Sequence, residues 1–287
     1  MGLKMTESIP DKASPSFFSL IKENLNSILA LAPSLVFLIL FIIGSILSAI
    51  FYVGDLGPTL IKLFKDAGFQ SAYFRTFRMA AVVATICSIL GYLTAFYVLQ
   101  LSRNMRMLVR ALVFLPVMIN PIIRSYGWMI ILGRKGLINT FLLKIGLIDE
   151  PIKLLYTELA SELGLVELFF PFMFIPLLGA MENIGEEVIL AARSLGAGTF
   201  RILVDIVLPL SLKGYLLGLA TVLAGCFSAF TTPSLLGGMR NRTLSMLLFE
   251  FINVRLNWTM ATAVALTITA SVLLITWLTN FLIKRRG

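Results

Sequence analysis

Few side chains in this sequence could do covalent chemistry. It has no histidine, which excludes Zn–His centres, Ser–His–Asp triads and histidine proton relays. The two cysteines, Cys87 and Cys226, each lie inside an apolar run, where small buried hydrophobes are expected and not a disulfide. Cys-x-x-Cys motifs and paired aspartates within the apolar runs are also missing. We therefore expect a non-catalytic chain that binds no metal and no cofactor of its own.

Polar side chains near the apolar runs are the candidates for contact with a small solute. Arg124 ranks first, because a charge inside a membrane span is costly and usually faces the protein interior. Its alternative role is to reach the lipid headgroups from the end of the span, and for Trp128 the alternative is an interfacial aromatic belt. The residues assigned to a solute pathway are Asn120, Arg124, Tyr126, Trp128, Thr231 and Thr232.

Composition places most of the chain in a lipid bilayer. Of its 287 residues, 58% are hydrophobic and 14% charged, and the mean hydropathy is +0.93. A soluble domain cannot hide that much apolar surface. The net charge of +9 fits Lys and Arg that flank membrane spans and face anionic headgroups. Because no basic stripe lies on a soluble domain, nucleic acid is not an expected partner.

Six apolar runs approach the roughly 20 residues that a helix needs to cross a bilayer. Four carry no charge, and the other two contain Arg124 in one case and Glu167 with two prolines in the other. The runs are Ile28–Tyr52, Met79–Leu101, Ala111–Leu132, Leu163–Met181, Gly214–Leu236 and Trp258–Ile283. The first run is longer than a signal-peptide core, so we expect it to be retained.

These runs predict an all-α membrane domain over residues 28–283. A cytoplasmic segment, 1–27, precedes it, and a basic cytoplasmic tail, 284–287, follows it. Between the first two runs, Gly54–Arg78 is predicted to be an amphipathic helix on the membrane interface.

A polar insert, residues 182–213, separates the fourth and fifth predicted spans. From Glu182 onward, Ile184, Val188, Ala191 and Leu195 recur at helical spacing and predict one apolar helix face. Gly196 can adopt a positive φ and end this helix. Thr199 is suited to cap a second amphipathic helix. The insert is therefore predicted to form a helix, a sharp turn and a second helix outside the membrane.

The insert carries a spaced motif that resembles the cytoplasmic loop of permease subunits of type I ABC importers. Ala191-Ala192 is followed after three residues by Gly196, and after nine more by Ile206-Val-Leu208-Pro209. In that family the loop forms a coupling helix, here between spans four and five, that docks into an ATPase subunit. The resemblance implies coupling roles for Glu186, Glu187, Ala191, Ala192, Arg193, Gly196, Ile206, Leu208 and Pro209.

One position departs from the family pattern. The family has Glu immediately before Ala-Ala, whereas this chain has Leu190. Glu186 and Glu187 lie about one turn upstream, and Glu187 shares a helix face with Ala191. Either acid is a candidate to supply the polar contact that Leu190 cannot make.

Two further stretches resemble the polyamine-type members of this family. They are Asn120-Pro-Ile-Ile-Arg124-Ser-Tyr126-Gly-Trp128, followed by Gly136-Leu-Ile-Asn139, and Leu235-Leu-Gly-Gly238. The resemblance implies a six-span permease subunit of an ATP-driven, alternating-access importer in the bacterial inner membrane. The implied partners are a second permease subunit (in a heterodimer or a homodimer), ATPase subunits that bind ATP and Mg, an extracytoplasmic solute-binding protein and membrane lipid.

Orientation and solute are less constrained by the sequence. Twelve of the 24 Lys and Arg fall on the side of the termini, and the other twelve fall on the opposite side or, for Arg124, within a span. This count does not decide the orientation, so cytoplasmic termini are expected from the insert and not from the positive-inside rule. The resemblance implies a spermidine- or putrescine-like solute. Opines, phosphonates and amino-acid-like solutes remain alternatives, because the spans hold almost no carboxylate for a cation. A secondary transporter would need its own intramembrane acids or histidines, which the four uncharged spans lack.

Overall fold

The computed structural model describes residues 25–53 and 56–285. Within these ranges it does not describe the side chains of residues 25–30, 49, 52, 53, 56 and 186. Within those residues every regular element is helical. The α-helices are α1 (Leu25–Val53), α2 (Leu56–Lys65), α3 (Ala67–Leu99), α4 (Arg103–Met118), α5 (Pro121–Leu132), α6 (Leu137–Lys144), α7 (Glu158–Glu182), α8 (Glu186–Ser194), α9 (Thr199–Ile202), α10 (Leu208–Leu210), α11 (Leu212–Ser228), α12 (Leu244–Asn253) and α13 (Trp258–Arg285).

Three short elements complete the chain. Two are π-helical turns, Leu203–Val207 and Pro233–Gly237, and one is a 3₁₀ turn, Met239–Asn241. Most of the predicted segment 1–27, and Arg286 and Gly287 of the predicted tail, lie outside the described residues.

Four described helices, α1, α3, α7 and α13, are long and apolar enough to cross a bilayer alone. Two further groups pass the same test only when taken together. The chain bends by 94° between α4 and α5–α6, and by 73° between the α9–α10 segment and α11. The all-helical class is as predicted, and the count of six spans requires that each bent group crosses once.

The prediction of a continuous helix over Ala111–Leu132 is wrong. Helix α4 ends at Met118 and α5 begins at Pro121. A proline disfavours the helical conformation in the residue before it, so Asn120 takes an N-cap position instead. Its side chain accepts a hydrogen bond from the Ile122 N–H at 2.9 Å.

Two other predicted boundaries also move. The run Gly214–Leu236 is not one helix: α11 ends at Ser228, residues 229–230 are not helical, and the chain becomes helical again at Thr231 and continues as the π-helical turn Pro233–Gly237. The stretch Gly54–Arg78 is not one interfacial helix. Asp66 caps α3 by accepting from the Phe69 N–H at 2.7 Å, so residues 67–78 lengthen α3 to 33 residues.

The chain divides into two compact units, residues 1–54 and 55–287. In the first, α1 is apolar along its length. In the second, α7 is the central element and packs against α3, α4, α11 and the turn Pro233–Gly237. The core around α7 includes the buried side chains of Leu165, Met173, Phe174, Leu177 and Leu178.

Small residues allow α11 to approach α7 closely. A Cβ added at Gly214 would stand 2.4 Å from the Pro176 carbonyl oxygen, and one at Gly218 would stand 2.9 Å from the Met173 sulfur. The two glycines are four residues apart and share one helix face. Because lipid removes the hydrophobic driving force between membrane helices, such close packing carries much of their association.

We expect Gly214→Ala to destabilise the protein, because the added methyl would meet main-chain atoms of α7 that cannot move independently. Overpacking of this kind costs about 1–3 kcal/mol. Thermal unfolding of the detergent-purified protein measures the effect. Gly179→Ala is the matched control, since a Cβ there meets no atom within 4 Å. Equal melting temperatures for the two variants would contradict the close-packing argument.

Candidate functional site

The polar insert forms a short helix enclosed by two glycines with positive φ. Gly185 has φ +81° and separates α7 from α8, and Gly196 has φ +82° and follows α8. The Gly196 N–H donates to the Arg193 carbonyl at 2.9 Å, and the Ala197 N–H donates to the Ala192 carbonyl at 3.0 Å. This is the Schellman pattern of helix termination, which favours glycine at that position. The predicted helix end is confirmed, whereas the helix begins at Glu186 and not at Glu182.

The face of α8 that periodicity marked as apolar points outward. Leu195 is 89% exposed, and Val188 and Ala191 are exposed as well. Ala192 is buried instead and Ile189 is half-buried, and both belong to the apolar cluster that contains Phe96 and Leu99 of α3. The insert therefore has apolar residues on two sides, one against its own chain and one open.

The open side of the insert has the composition of a protein-binding surface. Leu190, Leu195 and Phe200 are exposed, and Glu187 and Arg193 are exposed charges beside them. Large apolar side chains that stay exposed among charged ones are typical of an interaction site. Six residues line a cavity of about 280 Å³ between the end of α3 and α8: Phe96, Leu99, Gln100, Ile189, Leu190 and Arg193.

The remaining predicted coupling residues lie in the bend that follows. Ile206 is half-buried in the π-helical turn Leu203–Val207 and packs against the same apolar cluster. Leu208 lines a separate groove together with Tyr92 and Tyr215. Pro209 is exposed in α10, just before the 73° bend. These three residues precede the bend, and Glu186, the remaining coupling residue, is the first residue of α8.

Salt bridges fix both ends of α7. At its C-terminal end Glu182 pairs with Arg110, and Arg106 Nη1 lies 3.8 Å from Glu182 Oε1. At its N-terminal end Glu158 accepts from Arg75 Nε at 2.8 Å and also pairs with Arg78. The start of the insert is therefore tied to α4, and the opposite end of α7 is tied to α3.

Two predicted pathway residues, Trp128 and Arg124, meet at one carboxylate on α7, and a third, Thr232, contacts Arg124. Trp128 donates its indole N–H to Glu167, and Arg124 Nε lies 3.7 Å from Glu167 Oε2. The Arg124 guanidinium also donates to the Pro116 carbonyl at 3.2 Å and to the Thr232 hydroxyl at 3.5 Å. Arg124 is buried, so the alternative in which it reaches the lipid headgroups is wrong.

The other predicted pathway residues do not join this cluster. Asn120 is exposed and its side chain caps α5. Tyr126 is exposed, and Thr231 is half-buried, where its carbonyl accepts from the Ser234 hydroxyl at 2.9 Å. Glu167 is the residue that sequence reasoning did not assign to the site. Its signal was present, since it interrupts an otherwise apolar run.

Comparison with known proteins identifies the family to which this architecture belongs. Residues 87–287 match the family model described as binding-protein-dependent transport system inner membrane component. The chain belongs to this family. Membership of this family confirms the predicted importer subunit and excludes a secondary transporter. It also places the chain in the inner membrane.

Curated relatives cover most of the chain. The spermidine/putrescine transport system permease protein PotB of Haemophilus influenzae is 33% identical over 76% of this chain and 77% of its own length. PotB of Escherichia coli strain K12 is 32% identical over 77% of this chain and 82% of its own. The molybdenum transport system permease protein ModB of Mycobacterium bovis is 27% identical over 66% and 71%.

Solved structures share the fold. A chain of a bacterial ABC transporter involved in the import of the acidic polysaccharide alginate superposes with a TM-score of 0.77 and 18% identity, covering 94% of this chain and 99% of that one. A chain of the inward-facing methionine ABC transporter MetNI gives a TM-score of 0.56 and 20% identity, covering 75% and 94%. The permease fold is therefore that of type I ABC importers.

We expect Gly196→Val to abolish coupling to ATP hydrolysis while the permease still inserts in the membrane. A non-glycine residue at positive φ costs about 1–2 kcal/mol, and a β-branched residue is among the worst suited to it. Gly198→Val is the matched control, because Gly198 is extended with φ −68° and a Cβ at either glycine meets no atom within 4 Å. ATPase activity stimulated by solute-loaded binding protein is the measurement. Full stimulation in Gly196→Val would contradict the role of this turn.

Proposed function

We propose that this chain forms, together with a second permease subunit, the pathway by which a polyamine such as spermidine or putrescine enters the cell. The observation that carries the proposal is the 32–33% identity to spermidine/putrescine permeases over three quarters of the chain. The chain itself is non-catalytic. Partner ATPase subunits bind ATP and Mg and hydrolyse the nucleotide, and an extracytoplasmic binding protein delivers the solute.

The geometry of the insert supports the coupling part of this proposal. An exposed apolar surface on a short helix with fixed ends suits docking into a groove of an ATPase subunit. ATP-driven closure of the ATPase pair then moves α8, and the apolar cluster that Ala192 and Ile189 share with α3 and α7 passes that movement to the spans. The work of this chain is the differential stabilisation of inward-open and outward-open conformations.

The solute-binding part is supported by an acid and an aromatic ring within the spans. Glu167 and Trp128 together offer a carboxylate and a π-face, which are the groups that recognise organic ammonium ions. This supplies the carboxylate that the sequence left in doubt. A polyamine is therefore favoured over the opine, phosphonate and amino-acid-like alternatives.

A labelling experiment tests the orientation that the proposal requires. Both native cysteines are buried, so an added surface cysteine would be the one ready target for a membrane-impermeant maleimide. We expect Gly198→Cys in right-side-out vesicles to resist the reagent until the membrane is permeabilised, because the insert faces the cytosol. Glu150→Cys, before the start of α7, should be labelled without permeabilisation. The reverse pattern would place the insert outside and exclude docking to an ATPase.

Reconstitution tests the cargo. We expect proteoliposomes that contain both permeases, the ATPase subunits and the cognate binding protein to accumulate radiolabelled spermidine or putrescine in the presence of ATP. A complex whose ATPase subunits carry a substituted Walker A lysine is the control and should accumulate none. ATP-dependent uptake of a phosphonate or an opine, with no uptake of either polyamine, would refute the assignment.

A further inference from the structure

Glu167 is an acid within a membrane-spanning helix, and its ion pair with Arg124 is a long one. An ionised carboxylate has about four acceptor sites. In the described structure one is used by the Trp128 indole N–H, and the nearest guanidinium nitrogen of Arg124, at 3.7 Å, is beyond hydrogen-bond distance. A charge within the membrane is energetically costly and usually functional. We therefore expect the unused acceptor sites of the Glu167 carboxylate to bind a hydrogen-bond donor.

The two charges of this cluster are not equally accessible. The side chain of Arg124 is 4% exposed, whereas that of Glu167 is 29% exposed. The guanidinium N–H groups are directed at the Pro116 carbonyl and the Thr232 hydroxyl, so the cation is held within the protein. A mobile ligand that reaches the cluster therefore meets the acid and not the base.

The main chain adds a second acceptor at the same residue. Pro171 lies four residues after Glu167 and has no N–H, so the Glu167 carbonyl receives no helical hydrogen bond from that position. Carboxylate and carbonyl oxygens are the groups that a primary or secondary ammonium uses as acceptors. Glu167 thus has side-chain acceptor sites beyond the one bonded to Trp128, and its carbonyl lacks the usual helical donor four residues later.

Two interruptions of the spans converge on the Arg124 guanidinium, which lies beside Glu167. The α4–α5 break supplies the Pro116 carbonyl and Arg124, and the segment after α11 supplies Thr232. Non-helical backbone at membrane depth is tolerated where it is enclosed by protein or lines an aqueous cavity. The partly exposed carboxylate of Glu167 therefore lies beside the kind of interrupted backbone that can line an aqueous route through the membrane.

We propose that Glu167 binds an ammonium group of the passing solute, with the Trp128 ring beside it and Arg124 as the fixed cation that limits the strength of binding. This rests on the proposed polyamine import and assigns the residue that contacts the cargo. A neighbouring guanidinium weakens the attraction between the acid and the ammonium ion. Such weakening suits a transport site, which must release its ion as readily as it takes it up.

The substitution Glu167→Gln separates solute binding from a purely structural ion pair. Glutamine keeps the size of the side chain and an acceptor oxygen for the Trp128 N–H, and removes only the charge. Glu162→Gln is the matched control, since it removes one negative charge from the same helix, five residues away. Each variant is assembled into the full importer with its ATPase subunits, second permease and binding protein.

Two quantities are measured on each assembled importer. The first is the equilibrium binding of radiolabelled spermidine to the permease–ATPase complex in nanodiscs without binding protein. The second is the ratio of spermidine imported to ATP hydrolysed in proteoliposomes. We expect Glu167→Gln to weaken binding and lower the ratio by about tenfold, as for the loss of one charge-assisted hydrogen bond. ATP hydrolysis stimulated by the binding protein should stay at the wild-type level, and Glu162→Gln should match wild type in all respects.

The other outcomes each overturn a defined statement. If wild-type importer takes up spermidine and Glu167→Gln binds and imports it equally well, the site assignment alone is wrong. If stimulated ATP hydrolysis falls together with transport, Glu167 is a structural partner of Arg124 and not a solute contact. Equal losses in Glu167→Gln and Glu162→Gln would indicate a general charge effect. A wild-type importer that takes up no polyamine overturns the proposed function and this site with it.

Discussion

Helix α7 packs against α11 so closely that the two backbones leave no room for a Cβ at Gly214 or Gly218. Within a bilayer, where apolar side chains gain nothing by leaving lipid, such direct contact decides which helices associate. The other elements of the second unit are arranged around this pair. Helix α3 covers another side of α7, and the turn Pro233–Gly237 is held so near that a Cβ at Gly164 would stand 2.7 Å from Leu236.

The interrupted helices become stable through the same central helix. Ends of helices leave carbonyl groups without partners, which is costly away from water. Arg124 satisfies one such carbonyl at the end of α4 and reaches the hydroxyl of Thr232 in the second break. A buried guanidinium needs a counter-charge, and α7 provides it as Glu167. The element that orders the breaks thus also carries the partly exposed acid of this cluster.

Local signals in the sequence were sufficient for some features and insufficient for others. The end of α8 was predictable, because a glycine after an amphipathic run favours this termination. Its buried face was not, since Ile189 and Ala192 are as apolar as the exposed Val188 and Leu195 and periodicity does not say which neighbour each side meets. The break before Pro121 had a local signal, because a proline disfavours helix in the residue before it. The apolar residues on both sides nevertheless favoured a single continuous span.

The contact between Arg124 and Glu167 shows the limit more clearly. Each residue was noticeable as a charge within an apolar run, yet they belong to different helices and no local pattern links them. Their pairing depends on the 94° bend between α4 and α5, which composition does not reveal. The spaced motif of the insert, in contrast, resides in one continuous segment, and for that reason family and fold could be predicted while the solute site could be predicted only in part.

Helix α7 is clamped by ionic contacts at both termini, through Glu158 at one end and Glu182 at the other. Its 25 residues span about 37 Å at the usual rise of about 1.5 Å per residue. Ion pairs at both ends oppose sliding of α7 along its axis. A displacement imposed near Glu182 is therefore expected to bend the helix where its hydrogen bonding is weakest. Pro171 and Pro176 interrupt the hydrogen-bond ladder between the anchors. Strain applied at the Glu182 end would accordingly concentrate near Pro171 and Pro176, about one to two and a half turns from Glu167. The helix would then bend and not move along its axis.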